Sequence, residues 1–111
     1  MTKEQLRQYR SMKIEICQLE ERIAVMRMTH QYKEDIIFPL VTLYREKLQN
    51  LVEGQLRIEK AIESLNPTER ELMRLRYIDG KDWTEVCATI HYEWTQTHRI
   101  HARALNKIKS L

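Results

Sequence analysis

Two helix-start signals, Asn66-Pro67-Thr68-Glu69 and Asp82-Trp83-Thr84-Glu85, most constrain what this chain can become. An Asn or Asp ahead of a helix accepts a free backbone N–H of the first turn, and a Glu three residues later can reach back to the cap's own N–H. Pro67 suits the first helical position, where the N–H it lacks would be unpaired anyway. Between the two signals, Asp79-Gly80 supplies a stop. The spacing therefore predicts a helix from Pro67 with Leu72, Met73, Leu75, Arg76 and Ile78 along one side, then a short helix bearing Trp83, Val86, Cys87 and Ile90. A tight turn, His91 to Glu93, leads to a third helix from about Trp94. On that helix Thr97, Ile100, Ala104, Leu105 and Ile108 form the inward stripe, and Trp94, Thr95, His98, Arg99, Ala102 and Arg103 face outward.

The charges on the third helix bear on its use. From Trp94 to Leu111 stand Arg99, Arg103, Lys107 and Lys109, no acidic residue, and the interleaved His98 and His101. A short helix, a tight turn and an acid-free basic helix with polar and bulky residues near its start suit docking in a major groove, where the first turns reach base edges. The plainer reading is a helical domain with a solvated basic face.

The segments Leu72 to Gly80, Trp83 to Ile90 and Tyr92 to Ile108 resemble region four of sigma-70-type RNA polymerase sigma factors, which reads an upstream promoter element. Within that class the chain is most similar to small phage and prophage late regulators of the ArpU/RinA kind, and His91 to Leu105 is the most specific piece. The resemblance implies that Trp94, Thr95 and Arg99 read bases and that Gln96 and His98 contact flanking phosphates, with Arg103 helping to position the helix. Three departures stand out. Sigma factors commonly carry Arg where Trp94 stands, so a bidentate guanine contact is lost and a different target sequence is implied. Glu93 takes the usual Ser or Thr cap position, and Thr97 replaces a buried aliphatic side chain.

Upstream, the pattern is that of long helices. Tyr9, Met12, Ile16, Leu19, Ile23 and Met26 keep a 3-4 spacing, with His30 next in register, and predict a helix from about Thr2 to Thr29. Ile14, Val25 and Met28 widen the seam. A break is expected between Gln31 and Pro39, because the residue before a proline is pushed out of the helical region. A second long helix should start near Pro39, or one turn earlier with Asp35 as cap. It carries Val41, Tyr44, Leu48, Leu51, Gln55, Ile58, Ile62 and Leu65, with Gly54 and Gln55 as a local weak point. Two such seams can satisfy each other as an antiparallel hairpin or pair with a second chain. A hairpin whose remaining apolar surface makes a homodimer is the favoured expectation, because a lone hairpin has little core.

Only two Gly and two Pro in 111 residues argue for an all-α chain. The expected architecture is a long N-terminal helical hairpin or coiled coil, residues 1–65, followed by a three-helix, sigma-region-four-like helix-turn-helix domain, residues 66–111. The net charge is only +3, from 19 basic and 16 acidic residues, which for a monomer implies a modest salt dependence of DNA binding. No apolar run suits a membrane span, and the charged start is unlike a secretory signal, so a cytoplasmic location is expected. Cys17 and Cys87 form no CxxC pair and are expected reduced, Cys87 as a small buried side chain.

Catalysis is not expected. His98 and His101 lack the further ligands a zinc site needs, and two glycines leave no room for a phosphate-binding loop. No cofactor or metal is expected. The sequence thus reads as a sequence-specific, phage-type regulator binding double-stranded DNA, with RNA polymerase as a further partner. The alternatives are a DNA-recognition subunit for phage packaging and a helical adaptor that binds polymerase and touches DNA weakly. His98 and His101 are expected to add positive charge at mild acidity.

Overall fold

The computed structural model describes residues 1–29 and 33–111, and all regular structure among them is helical. The elements are α1 (Lys3–Arg7), α2 (Tyr9–Thr29), α3 (Glu34–Glu63), α4 (Pro67–Met73), a π-helical turn (Arg74–Ile78), α5 (Trp83–Ile90) and α6 (Trp94–Ile108). By contact the chain divides into two compact units: Met1–Arg10 with Arg57–Leu111, and Ser11–Leu56. None of these helices is long and apolar enough to cross a membrane.

The first long helix differs from expectation at its start. Thr2 caps α1 in a reciprocal box, its hydroxyl accepting the Gln5 N–H and its own N–H donating to Gln5 Oε1 at 2.7 Å. That short helix ends at Arg7, and α2 begins after Gln8. The second long helix starts earlier than the proline suggested. It begins at Glu34, so Asp35 lies in its first turn rather than at its cap, and Pro39 lies inside it. Pro39 is close enough to the start that it removes only one ladder bond, to the Asp35 carbonyl, while Glu34 and Asp35 favour the helix N-terminus electrostatically. The break expected from Gln31, and the placement of His30, fall on residues 30–32, outside the described residues; Lys33 accepts the first amides of α3, from Ile36 and Ile37.

Within the Ser11–Leu56 unit, α2 and α3 run side by side in opposite directions. Glu15 meets Lys47 at 3.8 Å, and Arg27 lines a concavity together with Glu34, Phe38 and Val41 at the other end. Ile16, Leu19, Ile23 and Val41 are buried, whereas Met12, Met26, Tyr44, Leu48 and Leu51 are half-buried. Ile14, Val25 and Met28 remain exposed, so the covered seam is narrower than the apolar pattern implied.

The other unit has the larger core: Leu6, Ile58, Ile62, Leu65, Leu72, Met73, Tyr77, Val86, Ile100, Ala104 and Ile108 are all buried. Burying each such aliphatic side chain contributes about 1.5–3 kcal/mol. The cap of α4 forms as the spacing predicts, with Asn66 Oδ1 accepting the Glu69 N–H at 2.9 Å and Glu69 Oε1 accepting the Asn66 N–H at 3.3 Å. Glu69 is itself buried and takes Lys107 Nζ of α6 at 2.7 Å, tying the first turn of α4 to the last turn of α6. Residues 1–10 belong to this unit because Leu6 is fully buried in it and Tyr9 donates to Glu59 at 2.8 Å. The Met1 amino group also donates to the Ile108 and Leu111 carbonyls, each at 3.1 Å. These are long-range contacts with no local signature.

Candidate nucleic-acid interface

The end of α4 widens into the π-helical turn, whose last amide pairing runs from Asp79 N–H to the Arg74 carbonyl at 2.9 Å. Gly80, at φ 72°, then reverses the chain, and the Lys81 N–H closes onto the Leu75 carbonyl. The wide turn leaves Leu75, Arg76 and Ile78 half-buried and carries Tyr77 inward, a core residue the apolar pattern did not single out.

Asp82 launches α5 by accepting the Glu85 N–H at 2.8 Å. Its end is His91, left-handed at φ 61°, and Tyr92 and Glu93 complete the link to α6. Thr97 is fully buried, and its hydroxyl is satisfied by the Tyr92 carbonyl at 3.4 Å. The hydroxyl that stands where an aliphatic side chain is usual thus holds the turn against the helix it precedes. Glu93 caps α6 through its backbone only, and no side chain accepts the first amides of that helix.

Around α6 the side chains sort into four stripes. Thr97, Ala104 and Ile108 face the core against α4 and α5. Thr95, Arg99 and Ala102 are exposed on the opposite side. On one flank, Gln96, Ile100 and Arg103 border a shallow concavity shared with Asn66, Thr68 and Tyr92. Trp94, His98 and His101 lie on the other flank at i, i+4 and i+7 spacing. Of the residues expected to read bases, Trp94 is 55% exposed and Thr95 and Arg99 are exposed. Of those expected on phosphates, Arg103 is exposed and Gln96 half-buried, on the same flank as each other.

The histidines depart most from expectation. His98 sits between two indoles, 4.4 Å from Trp83 and 4.6 Å from Trp94 by ring centroids, and its Nε2 is buried without a hydrogen-bond partner. It is a spacer between aromatic rings more than a free phosphate contact. His101 is buried, lies 4.7 Å from Trp83, and shares a 2.7 Å hydrogen bond between its Nε2 and the Tyr77 hydroxyl. Burial first, then the charge of Lys3, the neighbouring His98 and the charges of Arg76 and Arg7, push its imidazole down to about 4. It therefore stays neutral at mild acidity and adds nothing to the basic face, contrary to the reading from spacing alone.

The shelf of rings ends in a cation. The Arg76 guanidinium carbon lies 4.8 Å from the centroid of Trp83, and its Nη1 donates to the Lys81 carbonyl at 3.0 Å. Arg76 was expected only as part of an apolar side, and its role here has no local signal. Cys87 is half-buried rather than buried, and Cys17 is exposed. No group of three or more potential metal ligands occurs among the described residues. Comparison with known proteins returns no match: no family model, curated protein or solved structure aligns with the chain.

Proposed function

We propose that this chain is a non-catalytic, sequence-specific DNA-binding regulator of transcription, similar to the phage and prophage late regulators, in which α5, the His91–Glu93 turn and α6 act as a helix-turn-helix. In this reading α6 lies in the major groove with Trp94, Thr95 and Arg99 toward base edges, while Gln96 and Arg103 approach phosphates along one flank. Arg99 suits a guanine edge and Trp94 an apolar thymine methyl. The single observation that carries the reading is the outer stripe of α6: Thr95, Arg99 and Ala102 stand exposed on a helix that has no acidic residue and is held from beneath by Thr97, Ile100, Ala104 and Ile108. A rigid support of this kind lowers the entropy cost of docking side chains in a groove. Dimerisation through the long helices and contact with RNA polymerase belong to the same proposal.

The test is selection of bound duplexes from a random pool, followed by affinity measurements on the selected site for wild type and Arg99→Ala. A defined motif is expected, and Arg99→Ala should lose about 1–3 kcal/mol, with preference relaxed at one base pair. Weak binding without any motif would overturn the regulator reading in favour of a polymerase adaptor.

A further inference from the structure

Four cations from distant parts of the chain converge beside the aromatic shelf. Lys3, Arg7 and Arg10 from the first ten residues, and Arg76 from the π-helical turn, line a concavity of about 230 Å³. Tyr77, Gly80 and Trp83 complete its wall. Glu4 pairs with Arg7 at 3.1 Å, both largely exposed, whereas Lys3, Arg10 and Arg76 make no ion pair among the described residues. Gathering like charges costs free energy that an anion placed among them recovers.

Two of the cations meet the backbone of the turn that follows the π-helical segment. Arg76 is anchored on the Lys81 carbonyl and stacked on Trp83. Arg10 lies directly over Gly80, so closely that a Cβ there would collide with its guanidinium. Gly80 thus serves both the positive-φ turn and the close approach of Arg10. Two guanidinium forks lining one small concavity suit a phosphate group, whose oxygens accept paired N–H bonds.

Two stacked rings, His98 and Trp83, separate Trp94 at the start of α6 from Arg76 in the concavity. Trp94 touches His98 (4.6 Å), His98 touches Trp83 (4.4 Å), and Trp83 carries Arg76 (4.8 Å). This continuous run of contacts puts the concavity on the Trp94 and His98 flank of α6, so a helix start seated in a major groove would carry the concavity toward the strand bordering that groove. Gln96 and Arg103 occupy the opposite flank of α6.

We propose that Lys3, Arg7, Arg10 and Arg76 form a binding site for a backbone phosphate of duplex DNA, making the first ten residues part of the DNA-binding surface. The inference rests on the DNA-binding reading above and adds a second flank to it. The site positions the protein on DNA and reads no sequence.

The experiment uses the full chain, the selected duplex and a scrambled duplex, with affinities measured across a salt series for wild type, Lys3→Gln/Arg10→Gln and Arg10→Lys. One neutralised phosphate contributes a slope of about 0.9 in log affinity against log salt, worth roughly eightfold at 0.1 M salt relative to 1 M. The double variant should therefore bind both duplexes about eightfold more weakly at 0.1 M salt, with its slope reduced by about 1 and the preferred sequence unchanged. Arg10→Lys should keep most of the slope. Both replaced side chains are exposed and lack ion pairs, so the thermal midpoint should hold and a folding defect would show separately. Unchanged affinity and slope in the double variant, with wild type still binding its motif, would overturn this site while leaving the regulator reading intact. Failure of wild type to bind any duplex would overturn both.

Discussion

Acidification should weaken the α4–α6 unit through one residue, His101. In an unfolded chain its imidazole has the ordinary value of 6.5; in the fold, burial, the cation Lys3, the neighbouring His98 and the cations Arg76 and Arg7 push it down to about 4. Because the folded value is the lower one, the unfolded state binds more protons between these limits. Stability is then complete above 6.5 and falls as pH drops toward 4. Evaluating the two protonation equilibria gives a loss of about 2 kcal/mol between pH 8 and pH 5. With a urea dependence of about 2 kcal/mol per molar, the midpoint should fall by about 1 M. Both tryptophans, Trp83 and Trp94, lie in this unit, so the midpoint of their fluorescence transition reports it selectively. The midpoint, not the amplitude, should be read, since a protonated imidazole 4.7 Å from Trp83 also alters its emission. His101→Gln keeps a hydrogen-bonding partner for Tyr77 and removes the titration. The difference in midpoint shift between wild type and His101→Gln isolates the His101 contribution from that of carboxylates. Equal shifts in the two proteins would refute the argument, as would a His101 proton resonance titrating near 6.5.

Two further perturbations follow from the same unit. Lys107→Met strands the buried Glu69 carboxylate and should cost about 1–2 kcal/mol, below the 3–5 of a fully buried pair because Lys107 is half exposed. The thermal midpoint should drop by several degrees, and adding Glu69→Gln should restore part of the loss; a double variant less stable than Lys107→Met would count against this account. Gly80→Ala forces a Cβ into φ 72°, so about 1–2 kcal/mol of stability should go, read by thermal unfolding, while the exposed Arg10 guanidinium shifts aside. An unchanged midpoint there would mean that the turn relaxes freely.

What the sequence determined by itself was local. The caps at Asn66 and Asp82, the stop at Gly80, the link at His91–Glu93 and the start of α6 at Trp94 each depend on groups within a few residues, and each is present in the structure. The inward positions Thr97, Ile100, Ala104 and Ile108 followed from periodicity, because a helix presents every third or fourth residue to one side. Pro39 misled for the complementary reason: a local preference yields when a long helix loses only one bond. Tertiary structure alone decided which titratable groups meet water. Spacing placed His98 and His101 on a basic helix, but indoles supplied by α5 and α6 enclose the first, and burial against Tyr77 neutralises the second. Likewise nothing in residues 3–10 announces that their cations will stand beside Arg76 and Gly80. Burial and electrostatic fields are properties of neighbours brought together from across the chain, and periodicity carries no information about which neighbours those will be.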